Sequence, residues 1–178
     1  MMIRIGHLST FYHTAILLMA RNEVGKRLGV EAEWRLMGTG PAIMQAFERR
    51  ELDLAYIGLP PAIIGIARGV PVLCVAGGHM EGTIMAGKDL WNAFPAERDL
   101  VSVLSQFRGA KIGVPSSGSI HDVILRTALE EYGLADVIGV TNFPWADLVL
   151  EALVKDEVSA AVGTPALAAA VRRFANGK

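Results

Sequence analysis

EAEWRLMGTGPAIMQAFERRELDLAYIG, residues 31–58, decides the fold. Glu31–Met37 and Leu52–Gly58 read as strands, and Pro41–Arg50 between them reads as a helix entered through a glycine-rich turn. Working back toward the N-terminus, Ile3–Leu8 reads as another strand and Tyr12–Leu28 as another helix. The result is the βαβαβ rhythm of a parallel α/β sheet. Working forward, Pro61–Arg68 makes a short helix, and Pro71–Ala76 is an apolar run of buried-strand type. Cys74 sits inside that run and reads as a buried, inert thiol.

The first unit ends near residue 80. From Glu81 to Gln106 the pattern blurs at Gly82, Gly87 and Pro95, and a crossover or hinge is expected there. A second round follows: strand Ala110–Pro115, helix Ile120–Tyr132, strand Val137–Asn142, helix Trp145–Lys155, strand Val158–Gly163 and a last helix from Pro165 to about Phe174. The expected organisation is a first α/β lobe over 1–80, a crossover over 81–106 and a second α/β lobe over 107–178. Sliding the chain by 106 positions pairs Ile43 with Val149, Ala46 with Ala152, Leu52 with Val158 and Ala55 with Ala161, a faint internal repeat.

Composition narrows the function classes. The 178 residues suit one domain or two small lobes, and 17 Lys plus Arg against 18 Asp plus Glu leave no basic footprint for nucleic acid. With 52% hydrophobic and 20% charged residues the chain buries a real core. Leu59–Ala76 is broken by Pro60, Pro61, Pro71 and Arg68, which argues against a membrane span. A single cysteine excludes an internal disulfide and any multi-cysteine metal site. Ile3-Arg4-Ile5-Gly6 already reads as a strand where a secretory leader would stand, so a trimmed form or a cytoplasmic protein is expected.

In an open α/β sheet, ligands bind beyond the carboxyl ends of the strands, where helices begin with unpaired N–H groups. Four such junctions are small and hydroxyl-bearing. They are Ser9-Thr10-Phe11-Tyr12-His13, Gly38-Thr39-Gly40-Pro41, Ser116-Ser117-Gly118-Ser119 and Gly163-Thr164-Pro165. Capping accounts for part of this: Ser119-Ile120-His121-Asp122 fits a capping-box variant, and Thr164-Pro165 fits an N-cap followed by proline. Clusters in both halves, with glycines that let backbone approach closely, suit a polar or anionic small molecule. His7, His13, His79 and His121 fall near the same junctions and read as hydrogen-bonding or loop residues, because no metal-ligand spacing supports a metal site. No cofactor is expected. Gly38-Thr39-Gly40 continues with Ile43 where a dinucleotide loop needs its third glycine, and neither a phosphate loop nor a nucleophile elbow is present.

The string Glu51–Ile63, followed by Ala67-Arg68-Gly69-Val70-Pro71-Val72, resembles the solute-binding proteins of nitrate, sulfonate and taurine ABC importers. So do Phe107–Pro115 with Ser116-Ser117-Gly118-Ser119, and Glu157-Val158-Ser159-Ala160-Ala161-Val162. The resemblance implies a type II periplasmic-binding fold, with two α/β lobes of mostly parallel sheets and flanking helices. It implies a small anionic or polar solute (nitrate, a sulfonate, taurine or a thiamine precursor), a membrane permease and ATPase as partners, no catalysis, and a periplasmic or cell-surface location. The ligand contacts it implies are Ser9, Thr10, Phe11, Tyr12, His13, Thr39, Gly40, Gly58 and Leu59 in the first lobe. In the second they are Glu81, Gly82, Thr83, Ser116, Ser117, Gly118, Ser119 and Thr164. Family members usually run on and return to the first lobe, so the C-terminal part of that lobe is expected to be missing. The apolar surface left exposed would suit a homodimer. Two other readings share the scaffold: a small-molecule enzyme of thiamine-pyrimidine or menaquinone-pathway type, and the effector domain of a LysR-type regulator, for which no helix-turn-helix precedes Ile3.

Overall fold

β1 (Met2–Leu8) is the central strand of a three-stranded parallel sheet, flanked by β2 (Glu31–Met37) and β3 (Leu54–Ala55). The computed structural model describes residues 1–8, 14–77, 82–93 and 95–178. It divides into two compact units, Met1–Met80 and Glu81–Lys178.

In the first unit, the helix expected over Tyr12–Leu28 is two helices, α1 (Thr14–Arg21) and α2 (Glu23–Leu28). Asn22 between them takes left-handed backbone at φ 49°, a conformation asparagine tolerates better than most residues. α3 (Gly40–Glu48) follows β2 and lays Ile43, Ala46 and Phe47 against Leu8, Met37 and Leu52. Gly6 makes this possible, because a Cβ there would stand 2.7 Å from Leu52 Cδ1. Only Leu54–Ala55 of the expected strand is a full ladder member. The Asp53 and Tyr56 N–H groups still donate to the Arg4 and Gly6 carbonyls, at 2.9 Å each. α4 (Leu59–Ala67) begins with Pro60 and Pro61 in its first turn, where no N–H is needed.

One expectation fails here. Pro71–Ala76 forms no strand, Leu73 and Val75 are 89% and 82% exposed, and Cys74 is an exposed thiol rather than a buried one. An apolar run becomes a strand only when a neighbour completes its ladder, and none does so among the described residues.

The second unit is a four-stranded sheet in the order β4 (Ile84–Gly87), β7 (Ala160–Gly163), β5 (Lys111–Pro115), β6 (Gly139–Phe143), with β4 antiparallel to β7 and the other pairs parallel. β4 and α5 (Leu100–Ser105) both lie inside the stretch that the sequence reading assigns to a crossover. α6 (Ile120–Glu131), α7 (Ala146–Val154) and α8 (Pro165–Phe174) complete it. The sheet has a core on each face: Leu104, Ile112, Val114 and Leu129 pack together on one, and Val149, Leu153, Val158, Ala161 and Val171 on the other. Beyond α8 the chain returns to the outer edge of β4, where Gly87 and Lys178 exchange both backbone hydrogen bonds at 2.9 Å.

The faint repeat is a repeat of architecture. A shift of 106 carries the bounds of α3 onto those of α7, and the first residues of α1 and α4 onto those of α6 and α8. It also carries left-handed Arg50 (φ 57°) onto left-handed Asp156 (φ 61°). Gly6 and Gly113 are equivalents in packing: Leu52 crowds the first, and Val158, its counterpart, stands 3.1 Å from a Cβ at the second.

Candidate functional site

The most developed candidate site in the second unit is the turn between β5 and α6. Ser119 caps α6, its Oγ accepting the Asp122 N–H at 3.3 Å, as the capping signature predicts. The reciprocal bond is shifted by one residue. Asp122 Oδ2 accepts from Gly118 N–H at 2.9 Å, with Gly118 at φ 77°, a backbone that favours glycine. Asp122 is only 2% exposed, and its other oxygen accepts from Arg126 Nε and Asn142 Nδ2, each at 2.8 Å. Asn142 also donates to the Pro115 carbonyl at 2.9 Å, tying β6 to the end of β5. The turn is therefore held from three elements, and Arg126 neutralises the one carboxylate at the start of α6.

Within this rigid frame one group is left over. Ser116 Oγ is buried and has no hydrogen-bond partner among the described residues. A buried hydroxyl without a partner costs about 1–3 kcal/mol, and the first N–H groups of a helix have no partner inside it. Ser117 beside it is exposed. His121 is buried at 7% exposure, with Nδ1 3.0 Å from Thr83 Oγ1, so Thr83 is fastened to the start of α6. Gly82 precedes it in the chain. Thr164 stands at the N-cap of α8 in extended geometry with Pro165 at the first helical position, but its hydroxyl makes no capping bond.

In the first unit, Thr39 is buried at 7% exposure and caps α3 through a long bond from the Ala42 N–H, 3.4 Å. Gly40 lets the start of α4 approach, since a Cβ there would stand 2.5 Å from Pro61 Cγ. Gly58 and Leu59 open α4, so Thr39, Gly40 and Gly58 meet at one pair of helix starts, while Leu59 is exposed. Ser9, Thr10, Phe11, Tyr12, His13, His79 and Glu81 lie outside the described residues. His7, at the carboxyl end of β1, is buried and has Nδ1 3.1 Å from the Leu8 carbonyl oxygen. It lies edge-on to Trp34 at 6.0 Å, and Trp34 stacks on Tyr56 at 6.4 Å. The sequence reading misses this row, because its members are far apart in the chain and meet only across three strands.

Among the described residues no three His, Cys, Asp or Glu side chains are grouped to hold a metal ion, and no helix is long and apolar enough to cross a membrane.

The model of the NMT1-like family matches residues 1–175. The chain belongs to that family. A protein of Brucella abortus (strain 2308), provisionally named a binding protein, is 28% identical to this NMT1-like chain over 134 residues, 74% of the chain but 38% of the relative. The alkanesulfonate-binding protein SsuA from Xanthomonas axonopodis pv. citri, bound to MOPS, matches 99% of the chain with a TM-score of 0.77 at 17% identity. The match covers 59% of that structure. A Prochlorococcus marinus (MIT 9301) protein in complex with methylphosphonate matches 99% of the chain with a TM-score of 0.76 at 13% identity, covering 70% of that structure. These likenesses show the fold: α/β, with parallel sheets and flanking helices, of the kind seen in periplasmic solute-binding proteins. The NMT1-like chain spans less than half the length of the curated relatives it matches and about three-fifths of the SsuA structures.

Proposed function

We propose that this chain is the solute-capturing part of an ABC-type importer, working outside the membrane for a permease and an ATPase, and that it holds a small oxyanion at helix starts. The observation that carries this reading is the buried, unpartnered Ser116 hydroxyl beside the start of α6. An oxyanion accepts hydrogen bonds from a hydroxyl and from helix-start N–H groups together, and the partial positive charge there favours it. Asp122 presents no net charge against such a ligand, because Arg126 answers it at 2.8 Å. The names of the relatives point the same way: a binding protein, a sulfonate-binding protein and a methylphosphonate complex. Thr83, Ser117, Gly118 and Ser119 around α6 are the contacts proposed with it, and Thr39 and Gly40 at the start of α3 are proposed as the polar contacts that the first unit offers by itself.

The test is calorimetric titration with short alkanesulfonates, taurine, methylphosphonate and nitrate. At least one should bind, and Ser116→Ala should weaken it about tenfold or more, close to 1.4 kcal/mol, while leaving the circular dichroism unchanged. Binding that is indifferent to Ser116→Ala, or no binding of any of the four, overturns the reading.

A further inference from the structure

We propose, resting on the oxyanion reading of Ser116, that Asn142 on β6 is a positioning residue for that site: its side-chain amide sets the turn from Pro115 to Ser119 so that the Ser116 hydroxyl and the start of α6 serve one ligand.

Alternate residues of a strand share a face. On β6, Val140 pairs with Ile112 and packs against the core that holds Ile112, Val114 and Leu125, and Asn142 pairs with Val114 on that same face. An amide thus stands where the apolar pattern of the strand would continue. It is half-buried, and such a group is tolerated only when its hydrogen bonds are made. Asn142 Nδ2 donates to the Pro115 carbonyl at 2.9 Å and to Asp122 Oδ1 at 2.8 Å, while its Oδ1 accepts from Arg126 Nη2 at 3.0 Å. Arg126 Nε donates to the same Asp122 oxygen at 2.8 Å, so Asp122, Arg126 and Asn142 close a ring. A carbonyl and a carboxylate only accept and a guanidinium only donates, which fixes the orientation of the amide and calls for a side chain that does both.

The architecture does not need this ring. The shift of 106 that relates α1 to α6 and β2 to β6 puts Leu36, Ile16 and Ala20 in the places of Asn142, Asp122 and Arg126. Leu36 stands opposite His7 on β1, as Asn142 stands opposite Val114 on β5. The first repeat therefore builds the equivalent strands and helix with three apolar side chains. The ring belongs to the repeat whose turn carries the unpartnered Ser116 hydroxyl. It grips that turn on both sides of Ser116: Asn142 holds the Pro115 carbonyl, and Asp122 Oδ2 holds the Gly118 N–H at 2.9 Å. Ser116 and Ser117 lie between the two anchors, so the hydroxyl is in place before a ligand arrives, and binding does not have to order it. The amide adds no charge, and Asp122 and Arg126 answer each other, so the ring holds the turn without repelling an anion.

The experiment titrates the wild-type chain with short alkanesulfonates, taurine, methylphosphonate and nitrate, and carries the tightest of them to two variants. Asn142→Leu, which installs the side chain of the other repeat, should weaken binding about tenfold or more with unchanged circular dichroism. Asn142→Asp keeps the size but sets a second carboxylate against Asp122. Two carboxylates at that distance share a proton, which restores one bond of the ring, so affinity relative to wild type should fall about tenfold between about pH 5 and about pH 8. His121 and Arg126, the other titratable and charged groups at this turn, are common to both proteins, and the ratio to wild type cancels them. A role in stability alone would lower the thermal midpoint without moving that ratio. Wild-type binding that either variant matches at both pH values, or a ratio for Asn142→Asp that does not change with pH, overturns the positioning role and leaves the reading of Ser116 standing. No binding of any probe by the wild type overturns that reading, and the role of Asn142 with it.

Discussion

The two units are built on one plan and stabilised differently. The second covers its sheet with hydrophobic cores on both faces and closes the edge of β7 with an antiparallel strand. The first has a smaller buried cluster, around Ile43, Ala46 and Leu52, and an edge strand of two residues. Where the second repeat places Lys111 and Ser159, the first has Arg4 and Asp53. There the Arg4 guanidinium grips both carboxylate oxygens of Asp53, with Nε 3.0 Å from one and an Nη 2.8 Å from the other. Both repeats keep the backbone bond at this place, from Asp53 to Arg4 and from Ser159 to Lys111. Topology is thus set by the shared backbone pattern, while each unit stabilises it with whatever surface it has.

The largest difference should appear at the helix after the second strand of each repeat. Leu153 on α7 is fully buried, and its counterpart Phe47 on α3 is half-buried. Leu153→Ala should cost about 2–5 kcal/mol by lost burial and a residual cavity, and Phe47→Ala should cost less although phenylalanine is the larger side chain. Denaturant unfolding followed by hydrogen exchange measures both, with the amides of the first unit exchanging faster in the wild type. A Phe47→Ala penalty exceeding that of Leu153→Ala breaks the comparison.

The ion pair gives a smaller, pH-dependent difference. The Arg4 side chain, and then its backbone N–H, hold the Asp53 carboxyl down at about 2 against an ordinary value of 3.8. A depressed carboxylate stabilises the fold above its unfolded value, so this contribution is complete above about pH 4 and is lost as the pH falls toward 2. Both side chains are partly exposed, which keeps the effect within about 1 kcal/mol. Asp53→Asn should flatten the acid limb of stability for the first unit. An equally steep limb in the variant would show that other carboxylates carry it.

Much of this plan is legible in the sequence because its signals are local. The apolar runs of β1, β2, β5 and β7 and the capping residues Ser119 and Asp122 declare themselves within a few positions. What is missed depends on distant partners. β4 is a four-residue strand whose ladder lies across the second unit, and Asn142 reaches the turn at Ser116–Ser119 only through the pairing of β6 with β5. Pro71–Ala76 fails in the opposite sense. Its composition is that of a strand, but composition cannot supply the neighbour, so Cys74 is exposed where burial is expected.

The smallest prediction tests whether the repeat extends to backbone strain. Arg50 and Asp156 both take left-handed backbone just after equivalent helices, a conformation that costs an L-residue about 1–2 kcal/mol and glycine almost nothing. Part of that gain is returned through the greater freedom of glycine in the unfolded chain, so Arg50→Gly should stabilise by a few tenths to about 1 kcal/mol. The Arg50 carbonyl, which accepts from Arg4 at 2.7 Å, is untouched by the change. Asp156→Gly relieves the same strain but removes the carboxylate bonded to Lys88 Nζ at 2.6 Å, so its net effect should be near zero. Thermal unfolding of the two variants gives the sign of each. Equal gains would mean that the Lys88 pair contributes nothing, as many exposed pairs do. A loss at Arg50→Gly would mean that its side chain supports the first unit in a way its counterpart does not support the second.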